Sequence, residues 1–251
     1  MDPAIALRLG LLLVRPAALV AAAPPFGAGY TPVPIKIGLS LILAIVMAPV
    51  VPVPEVPTLA MLVLVVGREL LVGLALAMAV RTLVAGAELA GQLAGFQLGL
   101  SYAAAVDPQT GARNNVLAAL YGNLALFSFL AINAHHALLR ALAHSYASVP
   151  IGLGGVDGSL AAAVARTLGA IFTVGVQLAA PVVVVLLIVE LALGLATRAA
   201  PALNIMVVGF PVRLRAGLIV LAATVSVVAA LTRGVVPEMF DLAARLARAF
   251  R

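Results

Sequence analysis

Residues 160–196 read LAAAVARTLGAIFTVGVQLAAPVVVVLLIVELALGLA, with Arg166 and Glu190 as the only charged side chains. A bilayer's hydrocarbon core is crossed by roughly 20 apolar residues in helical form. The stretch is therefore far longer than one span, and Pro181 predicts a bend or break inside it. Outward from it the chain repeats the theme. Apolar runs cover residues 5–23, with a bend or break at Pro16; 35–51, closed by Pro49, Pro52, Pro54 and Pro57; and 58–80, with Arg68 and Glu69 in the middle. Further runs cover 83–106, ended by Asp107 and Pro108; 116–142; and 212–231. Proline- and glycine-rich stretches separate them, around Pro24 to Pro34 and at 145–159, with a further loop expected at 197–211. The fold class that follows is all-α: about six to seven long apolar segments, some broken or hairpin-like, read as one unit over 1–251.

Composition agrees with that reading. Of 251 residues, 64% are hydrophobic and 10% charged, and the mean hydropathy is +1.21. Soluble domains are about a quarter charged, and a water-facing surface cannot be built from so few charges. The net charge of +6 rests on arginines scattered among apolar runs, Lys36 being the only lysine. That scatter argues against a nucleic-acid footprint, which needs clustered basic residues on one face. Cysteine is absent, which removes disulfides and thiolate chemistry. Ala21, Ala22 and Ala23 imitate a signal-peptide cleavage site. Asp2, Arg8 and Arg15 break that pattern, so an uncleaved first helix is expected.

The tail, 237–251, reads as a short amphipathic helix. Met239, Leu242, Leu246 and Phe250 recur at helical spacing, and Arg245, Arg248 and Arg251 lie off that stripe. It has two readings, a helix lying on an anionic leaflet or one docked on a partner subunit. Arg198, Arg213 and Arg215 crowd the start of the last apolar run, and Arg233, Arg245, Arg248 and Arg251 crowd its end. The positive-inside rule asks for one arginine-rich side. Either that run is a hairpin or re-entrant, or the helices end in a protein assembly rather than in lipid.

Ionisable groups at bilayer depth cost several kcal/mol unless paired or wetted. Arg68, Glu69, Arg81, Glu88, Arg166 and Glu190 stand in apolar runs, and Arg68, Glu69, Arg81, Glu88 and Glu190 are the candidates for buried ion pairs. Gly91, Gly95 and Gly99 fall on one helix face and permit close packing, with Gln92 and Gln97 donating across helices. His135 and His136, followed by Arg140 and His144, point about 100° apart on a helix and make a poor metal site. No nucleophile elbow and no phosphate-cradling loop is present, and Ser128 and His135 are too weak a pair to argue catalysis from. The expectation is no enzyme, no metal and no cofactor.

Two stretches are more specific. The first runs from Gly95-Phe96-Gln97-Leu98-Gly99-Leu100-Ser101 through Val106-Asp107-Pro108-Gln109-Thr110-Gly111 and Leu126-Phe127 to His135-His136, Ser145-Tyr146 and Val149-Pro150. The second is Arg198-Ala199-Ala200-Pro201-Ala202-Leu203-Asn204, then Gly209-Phe210-Pro211-Val212-Arg213 and Gly217-Leu218. In order and spacing they resemble the FliR family of flagellar biosynthesis proteins and its type III secretion counterpart, over nearly the whole chain. Arg15-Pro16 and Ala23-Pro24-Pro25-Phe26-Gly27 are also similar to the family. Ala202 stands where the family usually has glutamine, and Arg213 where lysine is common. Gly209-Phe210-Pro211 leans towards the flagellar rather than the injectisome branch.

The resemblance implies a non-enzymatic subunit of the export gate in the inner membrane, within the flagellar basal body. Its implied partners are FliP, FliQ, other export-apparatus proteins, unfolded export substrates and inner-membrane lipid. It also implies a plug that helps close the pore, at the loop holding Ser101, Asp107, Pro108, Gln109, Gly111, Arg113, Asn114 and Asn115. Pro108 stops the preceding helix, Gly111 permits a tight turn, and Arg113, Asn114 and Asn115 supply polar contacts. Arg198, Pro201, Asn204, Gly209, Pro211, Arg213 and Gly217 are read as an assembly motif, with Pro201 and Pro211 bracketing a rigid turn. The rival reading is a small-molecule secondary transporter using Glu69, Glu88 and Glu190. It calls for a repeat between the two halves, and none is visible.

Overall fold

The computed structural model describes residues 3–24, 26–27, 31–54, 58–100, 116–152, 157–200 and 205–250. Within them the chain forms seven helices and no strand: α1 (Pro3–Ala22), α2 (Val33–Met47), α3 (Leu59–Gln97), α4 (Val116–Ala131), α5 (Ala134–Ser148), α6 (Leu160–Ala199) and α7 (Ile205–Arg248). Among the described residues four stretches are long and apolar enough to cross a membrane: Ile5–Ala22, Leu59–Gln97, Leu160–Ala199 and Val207–Thr224. A fifth is gained if the bent pair α4–α5 counts as one.

Of the bend or break expected at Pro16 and Pro181, no break occurs: α1 runs through Pro16 and α6 through Pro181. The runs expected at 58–80 and 83–106 fuse into α3, which carries Arg81 and Thr82 in its interior. α7 passes through Pro211 and Pro237, so the 197–211 loop shrinks, Pro211 is helical rather than the edge of a turn, and the tail is the end of a long helix. Interior proline costs one backbone hydrogen bond and a steric clash, about 3 kcal/mol. In apolar surroundings a full break exposes many more unsatisfied groups, each costing several kcal/mol, so continuity wins.

The opposite error falls at 116–142. That run is two helices, bent by 72° at the break. Asn133 sits there at φ 57, in the left-handed region, which asparagine tolerates better than most residues. Its N–H bonds the Leu130 carbonyl, and its own carbonyl accepts the His136 N–H. α3 ends in a Schellman motif: Gly99 takes φ +75, its N–H bonds Phe96 O at 3.1 Å, and Leu100 N–H bonds Gly95 O at 3.0 Å. Gly99 thus ends the helix, with the Phe210 ring 3.4 Å from where its Cβ would stand. Pro34 lies in the first turn of α2, where a missing N–H costs nothing.

The described chain divides into two compact units. The first comprises Met1–Thr82, Phe129–Gly169 and Val235–Arg251; the second comprises Leu83–Ser128 and Ala170–Gly234. Leu11, Leu12, Leu19, Val72, Leu76, Leu138 and Leu142 are buried in the first. The second closes on Ala94, Leu98, Leu117, Val182 and Leu186, with Val220 and Leu221 packed against them. Two close approaches mark where helices cross. A Cβ on Gly73 would stand 2.7 Å from Ala18 Cβ, in the first unit, and one on Gly86 would stand 2.8 Å from Val174 Cβ, in the second.

Candidate functional site

A fully buried charged cluster in the first unit is built on Arg15, which the sequence marks as an interruption of the first apolar run and, with Pro16, as part of the family resemblance. Arg15 is fully buried, as is Glu69 of α3. Arg15 Nε meets Glu69 Oε2 at 2.7 Å, and Nη2 meets Oε1 at 2.9 Å. This is the bidentate geometry in which a guanidinium binds carboxylate best. Nη1 donates to Ser145 Oγ at 2.8 Å, and Nη2 also donates to the Val149 carbonyl at 2.8 Å. Ser145 Oγ in turn donates to Leu142 O at 2.7 Å. The Tyr146 ring lies 4.2 Å beneath the guanidinium, and its hydroxyl donates to Leu12 O at 3.2 Å. One cation thus ties α1, α3 and α5 together. Its partners Ser145, Tyr146 and Val149 belong to the motif that carries the family resemblance. An arginine in an apolar helix, with a hydroxyl-bearing motif elsewhere, was the signal available in the sequence.

Arg68, next to Glu69, performs a separate task. Its Nε donates to Phe250 O at 2.6 Å, and Nη1 donates to Pro150 O at 2.9 Å and Gly152 O at 2.7 Å. It pins the end of α7 and the turn after α5 to α3. Met239, Leu246 and Phe250 of the tail are buried, so the apolar stripe is covered by its own chain rather than by a leaflet or a partner subunit. Arg245 and Arg248 are exposed, as are Glu238 and Asp241. Arg81 Nε donates to Ala22 O at 3.1 Å, at the end of α1.

In the second unit Glu190 of α6 and Arg213 of α7 stand 3.5 Å apart, each about a third exposed. Glu88 lies beside Gly122: a Cβ there would stand 3.0 Å from Glu88 Cγ. Gly91 abuts the Leu117 and Ala118 backbone, and Gly217 abuts the Leu98 side chain, so both serve packing within this unit. Gln92 is exposed and Gln97 half-buried. Arg198 and Pro211 are exposed, and Gly209 is buried. Pro201 and Asn204 lie outside the described residues, as do Ser101, Asp107, Pro108, Gln109, Gly111, Arg113, Asn114 and Asn115.

Chemically these arrangements bind helices to one another. Among the described residues no three His, Asp or Glu side chains gather. The His135 and His136 rings touch each other with centroids 4.2 Å apart, and His135 Nδ1 is buried without a hydrogen-bond partner among the described residues. Glu69, a coupling group in the transporter reading, has both oxygens engaged by Arg15.

Residues 6–239 match the sequence profile of the family described as "Bacterial export proteins, family 1". The chain is 34% identical over 233 residues to the flagellar biosynthetic protein FliR of Escherichia coli K12, covering 92% of this chain and 89% of that one. To the protein of that name from Bacillus subtilis 168 it is 33% identical, covering 90% and 88%, and to that from Caulobacter vibrioides 31%, covering 92% and 94%. Matched over residues 6–239, and mostly helical and apolar in its described residues, the chain belongs to the bacterial export proteins of family 1.

Proposed function

We propose that the chain is a non-enzymatic subunit of the flagellar protein export gate, joining FliP and FliQ to form and help close a channel for unfolded flagellar substrates across the inner membrane. The observation that carries this reading is the near full-length match to proteins named for flagellar biosynthesis, which also favours the flagellar over the injectisome branch. The surface supports it. At most 39% of any of the four long apolar windows is buried within the chain, so most of their apolar faces need cover from lipid or protein. α3, α6 and α7 hold 39, 40 and 44 residues, or roughly 60 Å each at 1.5 Å per residue. That is about twice a hydrocarbon core, a length that suits helices covered in part by other subunits.

Within this reading the 101–115 loop is the plug. Deleting 109–114 raises ion leak through the assembled gate; unchanged leak with assembly intact sinks the assignment. Arg198, Pro201, Asn204 and Pro211 serve assembly, while Gly217 packs within the chain. Asn204→Ala lowers recovery of FliP and FliQ with the tagged chain, whereas normal recovery with lost export points instead to gating.

A further inference from the structure

Arg166 of α6, with Arg245 and Arg248 of α7, lines a cleft of about 460 Å3 in the first unit. Asp157 is the single carboxylate among the lining residues, and Ser159 engages it. The Ser159 Oγ donates to Oδ2 at 3.0 Å, and its N–H donates to Oδ1 at 3.4 Å. Arg245 and Arg248 bond through Nε along their own helix, to Asp241 Oδ2 at 2.9 Å and to the Ala244 carbonyl at 3.2 Å. Arg166 has neither a hydrogen bond nor an ion pair among the described residues.

The walls are fixed without a ligand. The Asp157 N–H donates to Ala249 O at 2.8 Å, and Arg68 Nε donates to Phe250 O at 2.6 Å. Leu246 and Phe250 are buried. The start of α6 and the end of α7 are thereby tied together, so binding here orders little backbone.

Size, lining and charge together select the ligand. A volume of 460 Å3 lies in the range that holds a drug-sized molecule, roughly 300–1,000 Å3, so one inorganic anion leaves most of it to water. The uncharged lining is Ser159, Leu242 and three alanines, with no aromatic ring for a base to stack on. The exposed Val164 and Leu168 fall on the other side of α6 from Arg166, so no apolar track leads out of the cleft for an acyl chain. What remains is a polar segment with several carboxylates, which guanidinium forks bind well. The chain has no such segment of its own. Of its nine Asp and Glu residues no two are adjacent, and the nearest pair, Glu238 and Asp241, belongs to α7 itself. We propose that the cleft docks an acidic segment of another protein, whose carboxylates pair with Arg166, Arg245 and Arg248. Charge complementarity of this kind selects the partner and speeds its encounter. The proposal is independent of the export reading.

The test is fluorescence anisotropy of a labelled hexaglutamate peptide titrated with the full chain in detergent, together with whatever subunits co-purify. The wild type binds hexaglutamate and not hexaglutamine, and binding weakens as salt rises. Arg166→Gln, Arg245→Gln and Arg248→Gln each weaken it about threefold, as expected for one exposed ion pair, and the triple variant weakens it about tenfold or more. Arg140→Gln, on exposed α5 surface, leaves it unchanged. The three arginines are exposed, so the neutral amides leave the core intact, and unchanged melting temperatures check this. The proposal is overturned if the triple variant binds hexaglutamate as the wild type does, or if Arg140→Gln weakens binding equally. It is equally overturned if inorganic phosphate, matched in charge, displaces the peptide fully, or if phosphatidylglycerol does.

Discussion

Arg15 and Glu69 form a pair whose value lies in its completeness. Desolvating two charges costs several kcal/mol each, and only near-ideal geometry with further hydrogen bonds repays it. Here Ser145, Val149 and Tyr146 supply the rest. Removing one partner strands the other, so Glu69→Ala lowers stability by about 3–5 kcal/mol, while Arg15→Met with Glu69→Met together recovers most of the loss. Thermal unfolding in detergent, followed by size exclusion, checks both; a double variant as unstable as the single would refute the pairing as the cause. Gly99 gives a smaller case. Its φ of +75 makes Gly99→Ala cost about 1–2 kcal/mol, read from the same assay. At this scale the sequence marked which residues matter better than what they touch. Glu69 was legible as an ionisable group in an apolar run. Its partner, 54 residues away, was not, because helix periodicity carries no information about which helices meet.

At the scale of elements the hydrophobic pattern placed every long apolar run but misjudged where helices stop. Pro16, Pro181 and Pro211 are strong breakers in water, and each sits inside a helix here. The reason is the solvent: breaking a helix among apolar neighbours costs more backbone hydrogen bonds than proline removes. Arg81 misled in another way. It reads as a boundary, yet its guanidinium bonds the end of α1 while α3 continues. The break that does occur, at Asn133, needed only one left-handed residue. Asn133→Val costs about 1–2 kcal/mol because a branched side chain clashes there, and Asn133→Gly is tolerated. Comparing their melting temperatures checks this; equal losses would mean the bend does not depend on that φ. The α7 helix, continuous from Ile205 to Arg248, also removes the hairpin explanation for arginines at both ends of the last apolar run.

At the scale of the whole molecule the apolar surface sets the biology. Helices about twice as long as a bilayer core, with most of their apolar faces uncovered by their own chain, suit a subunit finished by its neighbours. The family was legible because its motifs are local strings; the proposed plug at 101–115 and residues Pro201 and Asn204, also parts of local strings, lie outside the described residues. The proposal that this chain is part of the flagellar export gate is tested most directly by an in-frame deletion in the source bacterium, with secreted hook and filament proteins measured in the medium. Secretion is lost in the deletion strain, and a plasmid copy restores it. Normal secretion and normal flagella in the deletion strain would contradict the proposal.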